Sequence, residues 1–127
     1  HKLLDKLKKT GKTIFMSTGM SSWNEIKDAL KILNKKKTII MQCSSIYPCP
    51  ASRVGLNIIG ELKKRFKITV GFSDHYSGAE AGIAAAALGA EVIEKHITLD
   101  RSKKGIDYYS SLHLDEFNKM KSARPAV

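Results

Sequence analysis

Little in this 127-residue chain could staple or anchor it. It has two cysteines, Cys43 and Cys49. They are too few for a disulfide framework, and their spacing is not C-x-x-C, so reduced thiols in a cytoplasmic protein are expected. No apolar run approaches the roughly 20 residues that a membrane-spanning helix needs, and nothing has the pattern of a secretory leader. There is no low-complexity tract. The chain begins at His1 rather than Met, in the middle of a helical pattern carried by Leu3, Leu4 and Leu7. It is therefore expected to be a piece of a larger chain.

Acidic residues are also scarce, with 12 Asp and Glu against 22 Lys and Arg and a net charge of +10. An excess of this size invites a nucleic-acid reading. The basic residues, however, gather in Lys2 to Lys12, Lys35-Lys36-Lys37 and Lys63-Lys64-Arg65. These are helix faces and helix-to-strand turns with no interleaved aromatics, so a solvated surface is expected. No nucleic-acid or membrane partner is predicted, and the residual role of the charge is attraction for anionic substrates.

What is present is a regular alternation. A helix end at His1 to Lys9 stops at Gly11, and Thr13 to Met16 forms a short apolar strand. Ser22-Trp-Asn-Glu25 reads as a capping box, in which the serine hydroxyl and the glutamate each satisfy a free backbone N–H. Behind it, Trp23, Ile26, Ala29, Leu30 and Leu33 share one helical face. A strand at Thr38 to Met41 runs into Gln42-Cys-Ser-Ser-Ile-Tyr47, and Pro48 and Pro50 then forbid an immediate helix. A helix from about Leu56 to Phe66 leads to a strand at Ile68. Val70 to His75 and Val92 to His96 flank an alanine-rich crossover helix with its caps at Ser77 to Glu80 and Leu88-Gly89. A long loop precedes a final helix near Asp115 to Arg124. Strands recurring every ~20 to 30 residues between helices predict an α/β fold of parallel βα units. Four such units make half of an eight-unit barrel, or a small open sheet.

In folds of this class the chemistry sits at the carboxyl ends of the strands. All four ends here are loaded: Ser17-Thr18, Gln42 to Tyr47, Ser73-Asp74-His75 and Glu94-Lys95-His96. A lone histidine at a strand end is an ordinary turn residue. Two histidines one βα unit apart, each beside a carboxylate, make a candidate pair of metal ligands that leaves positions open for substrate. By residue type alone, zinc, cobalt and iron suit such a pair as well as manganese. Tyr47 suits either packing or contact with a sugar. Cys43 reads as a small buried hydrophobe rather than a nucleophile, and Cys49 carries no assigned role.

Ser17-Thr-Gly-Met20, Cys43-Ser-Ser-Ile-Tyr-Pro48, Gly71-Phe-Ser-Asp-His75, Ile93-Glu-Lys-His-Ile-Thr-Leu-Asp100, Gly105-Ile-Asp107 and Ser111-Leu112 follow one another in the order and spacing of the sialic acid synthase family, which the chain resembles from about Gly11 to Met120. The resemblance implies the second half, strands 5 to 8, of a TIM barrel, lacking the first barrel half and the antifreeze-like domain. It also implies condensation of phosphoenolpyruvate with N-acetylmannosamine or a related N-acyl sugar to a nonulosonic acid, with release of phosphate. His75 and His96 would hold a divalent metal, manganese first, with magnesium or cobalt as alternatives. Ser17, Ser45 and Ser73 would line the phosphoenolpyruvate pocket, and Tyr47 and Asp107 would contact the sugar. Asp74 would orient His75, and Glu94 would be a polar group at the sugar end. The full-length protein is expected to be a homodimer. Ser45, where many relatives carry Asn, keeps a donor with shorter reach, whereas Ala51-Ser-Arg53 in place of an acidic segment and Tyr108 in place of His concern the choice of sugar. This segment alone is expected to be inactive, and either marginally folded or paired with a second copy. Two other readings remain: a different metal-dependent barrel aldolase acting on sugars, and a non-catalytic basic module that binds polyanions.

Overall fold

In a computed structural model, residues 1–123 are described. Helix α1 (Lys2–Lys9) precedes strand β1 (Ile14–Ser17), and α2 (Trp23–Ile32) leads to β2 (Thr38–Cys43). Helix α3 (Asn57–Phe66) leads to β3 (Val70–Asp74), and α4 (Glu80–Ala87) to β4 (Ile93–Lys95). A short α5 (Ile106–Ser110) and α6 (Leu114–Ser122) follow. The strands pair in sequence order β1-β2-β3-β4, all parallel. This is the curled four-unit half of a barrel, one of the two arrangements that the alternation allows.

Local chemistry accounts for most boundaries. Ser22 and Glu25 form the expected capping box at the start of α2, the hydroxyl accepting from the Glu25 N–H and the carboxylate from the Ser22 N–H. Gly11 turns the chain at φ 67°, a left-handed conformation that glycine takes without steric cost. Lys67 also adopts the left-handed region as it ends α3, so β3 begins at Val70 rather than at Ile68. Helix α4 starts at Ala79-Glu80 with no side-chain cap, contrary to the caps expected at Ser77 to Glu80. Helix α5 lies in the predicted long loop, where five residues are too short to show a helical period. The final helix ends at Ser122, and Arg124 falls outside the described residues.

Alternation along the strands separates two faces. Ile40, Val70 and Phe72 join Ile26 and Leu30 of α2, Ile59 and Leu62 of α3, and Ala81 and Ala85 of α4 in one buried cluster. Burying side chains of this size stabilises by about 1.5–3 kcal/mol each. Trp23 closes one end of this layer, tilted against Phe66 at 6.3 Å with the Arg65 guanidinium 4.5 Å over its ring. The opposite, inner face carries Phe15, Ile39, Met41, Cys43, Gly71, Ser73 and Glu94, the residues of alternate parity. Met41 is buried there over Gly71, where a Cβ would come within 2.5 Å of its sulfur. Phe15 remains 53% exposed on this face.

Candidate functional site

Three inner-face residues lie at one level across the sheet: Cys43 is registered with Ser73, and Ser73 with Glu94. Ser73 is buried and donates its hydroxyl to Glu94 Oε1 at 2.7 Å. One step beyond the strand ends stand His75 and His96, with ring centres 5.6 Å apart. Parallel pairing of β3 with β4 sets this proximity, since Asp74 is opposite Lys95 and the histidines are the next residues of each chain. His75 is buried and His96 half-buried.

The ring of His75 is fixed on two sides. Its Nδ1 lies 2.8 Å from the Ser44 carbonyl, which can only accept, so Nδ1 carries the proton. Nε2 is thereby left with its lone pair. The Cys43 sulfur lies 3.9 Å from the same Nδ1, and burial pushes its thiol above the usual range, so it stays protonated. Tyr47 stacks over His75 with centroids 3.9 Å apart and meets His96 edge-on at 6.1 Å. Burial also raises the Tyr47 phenol, with smaller contributions from Cys43, Asp107 and Glu94. The loop bearing Tyr47 is tied down by the Cys49 N–H, which donates to the His75 carbonyl at 2.8 Å.

Asp74 does not touch the ring of His75, so it does not orient that ring by direct contact. It is one residue out of phase with Ser73 and points to the outer face. There its Oδ1 accepts from the Tyr76 N–H and its Oδ2 lies 3.2 Å from Lys95 Nζ. Both side chains are fully buried. Burial raises the Asp74 carboxyl and lowers the Lys95 amine, each opposed by the charge of the other. The ring-orienting contact comes instead from the Ser44 backbone, which side-chain chemistry in the sequence does not reveal.

The other predicted residues are more dispersed. Ser17 ends β1 and is exposed on the inner face. Ser45 is exposed and lies against Gly19, where a Cβ would sit 2.3 Å from the Ser45 hydroxyl, so the loops after β1 and β2 meet. Asp107 is exposed in the first turn of α5, and its backbone carbonyl accepts from the Ser111 hydroxyl at 2.7 Å. Ser73, Asp74, His75, Glu94, Lys95 and His96 line one cavity of about 110 Å³. A larger cavity of about 460 Å³, lined by the segment from Ala51 to Asn57, Tyr76 and the start of α4, includes neither histidine.

Among the described residues no group of three or more His, Cys, Asp or Glu side chains forms a metal cage. The nitrogen donors gathered at these strand ends are the two imidazoles, His75 and His96. The profile of the NeuB family matches residues 1–127. This chain belongs to the NeuB family. Among its relatives, the chain is 42% identical over 118 residues to the N,N'-diacetyllegionaminic acid synthase of Campylobacter jejuni, covering 89% of this chain and 35% of that protein. It is 39% identical over 116 residues to the human N-acetylneuraminate-9-phosphate synthase, covering 89% of this chain and 32% of that one. The crystal structure of the sialic acid synthetase of Leptospira borgpetersenii, in complex with citrate, superposes with a TM-score of 0.90 at 37% identity, over 96% of this chain and 44% of the other. The sheet is thus half of a TIM barrel of NeuB type. The chain spans about a third of the length of these curated NeuB-family relatives.

Proposed function

We propose that this chain supplies the metal-binding and part of the substrate-binding side of a synthase. The enzyme joins phosphoenolpyruvate to an N-acylmannosamine-type sugar, forming a nonulosonic acid and releasing phosphate. The observation that carries this reading is the histidine pair: two imidazoles 5.6 Å apart at adjacent strand ends, one with its Nε2 left free by the Ser44 carbonyl. The names of the family's synthases support the substrate class. His75 and His96 would hold the divalent ion, manganese first. When bound, it supplies Lewis acidity toward the aldehyde oxygen of the sugar.

The protein side of the chemistry follows from the neighbours. Tyr47 covers one face of His75 and shields the site from water there, while remaining 40% exposed for contact with the sugar. Ser73 presents a hydroxyl that now donates to Glu94 and would turn toward the phosphate of phosphoenolpyruvate. Glu94 is exposed at the inner rim and would act on a proton at the sugar end of the pocket. Ser17 and Ser45 would complete the phosphate side, and Asp107 the sugar side. Among the described residues lining the cavity the one cation is Lys95, and it is engaged by Asp74 and the Tyr76 carbonyl. A phosphate group needs compensating positive charge, so this segment by itself would bind phosphoenolpyruvate weakly and turn over little.

The test is phosphate release from phosphoenolpyruvate by the full-length gene product, with N-acetylmannosamine and with manganese present or chelated. Release that needs both sugar and metal, and that falls at least ~100-fold in His75→Ala and His96→Ala, is the expected result. Release only with a dideoxy diacetamido sugar would move the acceptor to the pseudaminic or legionaminic class. Silence with every acceptor from folded protein would sink the reading.

A further inference from the structure

The buried pair of Asp74 and Lys95 has a geometry that charge pairing alone does not explain. Replacing a buried ion pair by apolar side chains of similar volume is often neutral or stabilising, so the pair is not needed for stability as such. Its contacts point to another role. Asp74 Oδ1 accepts from the Tyr76 N–H at 2.8 Å, and Lys95 Nζ donates to the Tyr76 carbonyl. Tyr76 follows His75 directly, so both polar groups of the residue after His75 are held by this one pair. Asp74 ends β3 and Lys95 ends β4, each one residue before a histidine. On the outer face, Gly82 of α4 packs beside the pair, a Cβ there meeting Asp74 Oδ2 at an ordinary contact distance of 3.5 Å.

We infer that Asp74 and Lys95 are positioning residues, a buried polar staple across β3 and β4 that sets the separation and ring orientation of His75 and His96. The Lys95 ammonium reaches from the strand before His96 to the carbonyl just after His75, so movement of either strand end breaks the contact. An apolar pair could occupy the same volume, but it would leave the Tyr76 N–H and carbonyl without partners and His75 free to shift. The staple acts on the outer face, behind the site, while the Ser44 carbonyl and Tyr47 fix the ring from the inner side. Its functional consequence rests on the reading of the histidines as metal ligands.

The experiment compares two uncharged variants of the full-length protein that differ in one donor. Asp74→Asn with Lys95→Met keeps the acceptor for the Tyr76 N–H and removes the grip on its carbonyl. Asp74→Asn with Lys95→Gln keeps an N–H donor for that carbonyl. Folding is matched by circular dichroism, and the histidine rings are observed without metal by nitrogen-15 NMR. The first variant is expected to lose the slowly exchanging Nδ1–H of His75, and its manganese affinity, read by electron paramagnetic resonance, to fall about 10- to 100-fold. The glutamine variant is expected to keep the Nδ1–H signal and recover most of the affinity. Unchanged ring signals in both variants, or equal loss in both, would overturn the staple. Should neither variant fold, amide exchange in the wild-type protein decides: a Tyr76 N–H exchanging with the surface class would also overturn it. Wild-type protein that binds no manganese would sink the metal reading, while the metal-free ring comparison still decides the staple.

Discussion

Lys95 and Asp74 have no exposed side-chain surface, and each carries a charge that burial opposes. Removing one partner leaves the other uncompensated in a low-dielectric layer. Lys95→Met is therefore expected to lose about 3–5 kcal/mol of stability, read as a lower urea midpoint with unchanged slope. Adding Asp74→Leu should recover the charge penalty but not the cost of the unpaired Tyr76 N–H and carbonyl, about 1–3 kcal/mol each. Equal stability of Lys95→Met and the wild type would show that the pair is solvated. Period-two alternation alone places Ser73 and Asp74 on opposite faces, so that part was legible from the sequence. The choice of Lys95 as partner was not, because it depends on the register of β3 with β4.

Two elements offer local tests. The capping box of α2 satisfies N–H groups that the first turn cannot pair internally. Ser22→Ala is expected to cost about 1 kcal/mol in chemical denaturation, and a cost near zero would mean the box is open in solution. Gly82 of α4 faces Met120 of α6, where an added Cβ would lie 2.5 Å from the sulfur. Gly82→Ala gains about 1 kcal/mol of helix propensity, but overpacking opposes it by about 1–3 kcal/mol, so net destabilisation is expected. In a Met120→Ala background the sign should reverse, and a double-mutant cycle reads the difference. The same sign in both backgrounds would remove Met120 from the explanation. Helix α5 and the loop over His75 had no such local signature, since neither has a period and both are placed by contacts from distant strands.

At the scale of the whole molecule, acid is the simplest probe. Glu25, Asp28, Asp100 and Glu116 sit below the ordinary carboxylate range. The main causes are the Ser22 N–H for Glu25, Lys31 for Asp28, the Ser102 side chain for Asp100 and the His113 N–H for Glu116. Groups depressed in the folded state stabilise above their unfolded value and lose that contribution as pH falls through the folded one. Asp74 has the opposite sign: its folded value is raised, so its cost appears as pH rises and vanishes in acid. Loss of the four depressed carboxylates predicts a denaturation midpoint that falls below about pH 4, with Asp74 the one shifted carboxyl that opposes it. A midpoint that rises on acidification would mean that burial of Asp74 dominates. The Arg101 guanidinium joins Glu116, and its Nε donates to the Ser111 carbonyl, so the loss should loosen the segment between Arg101 and Ser111, α5 and Asp107 included, first.

The sequence by itself determined the βα repeat, the capping box, the apolar helix faces and which strand ends carry polar chemistry. Each of these follows from spacing along the chain, within one element or from one βα unit to the next. The tertiary structure decided that a backbone carbonyl at Ser44 orients the His75 ring and that Tyr47 covers it. It also decided that Lys95 closes the circuit behind the histidines. All of these depend on which strand lies beside which and in what register, and pairings between distant segments leave no period in the chain that makes them.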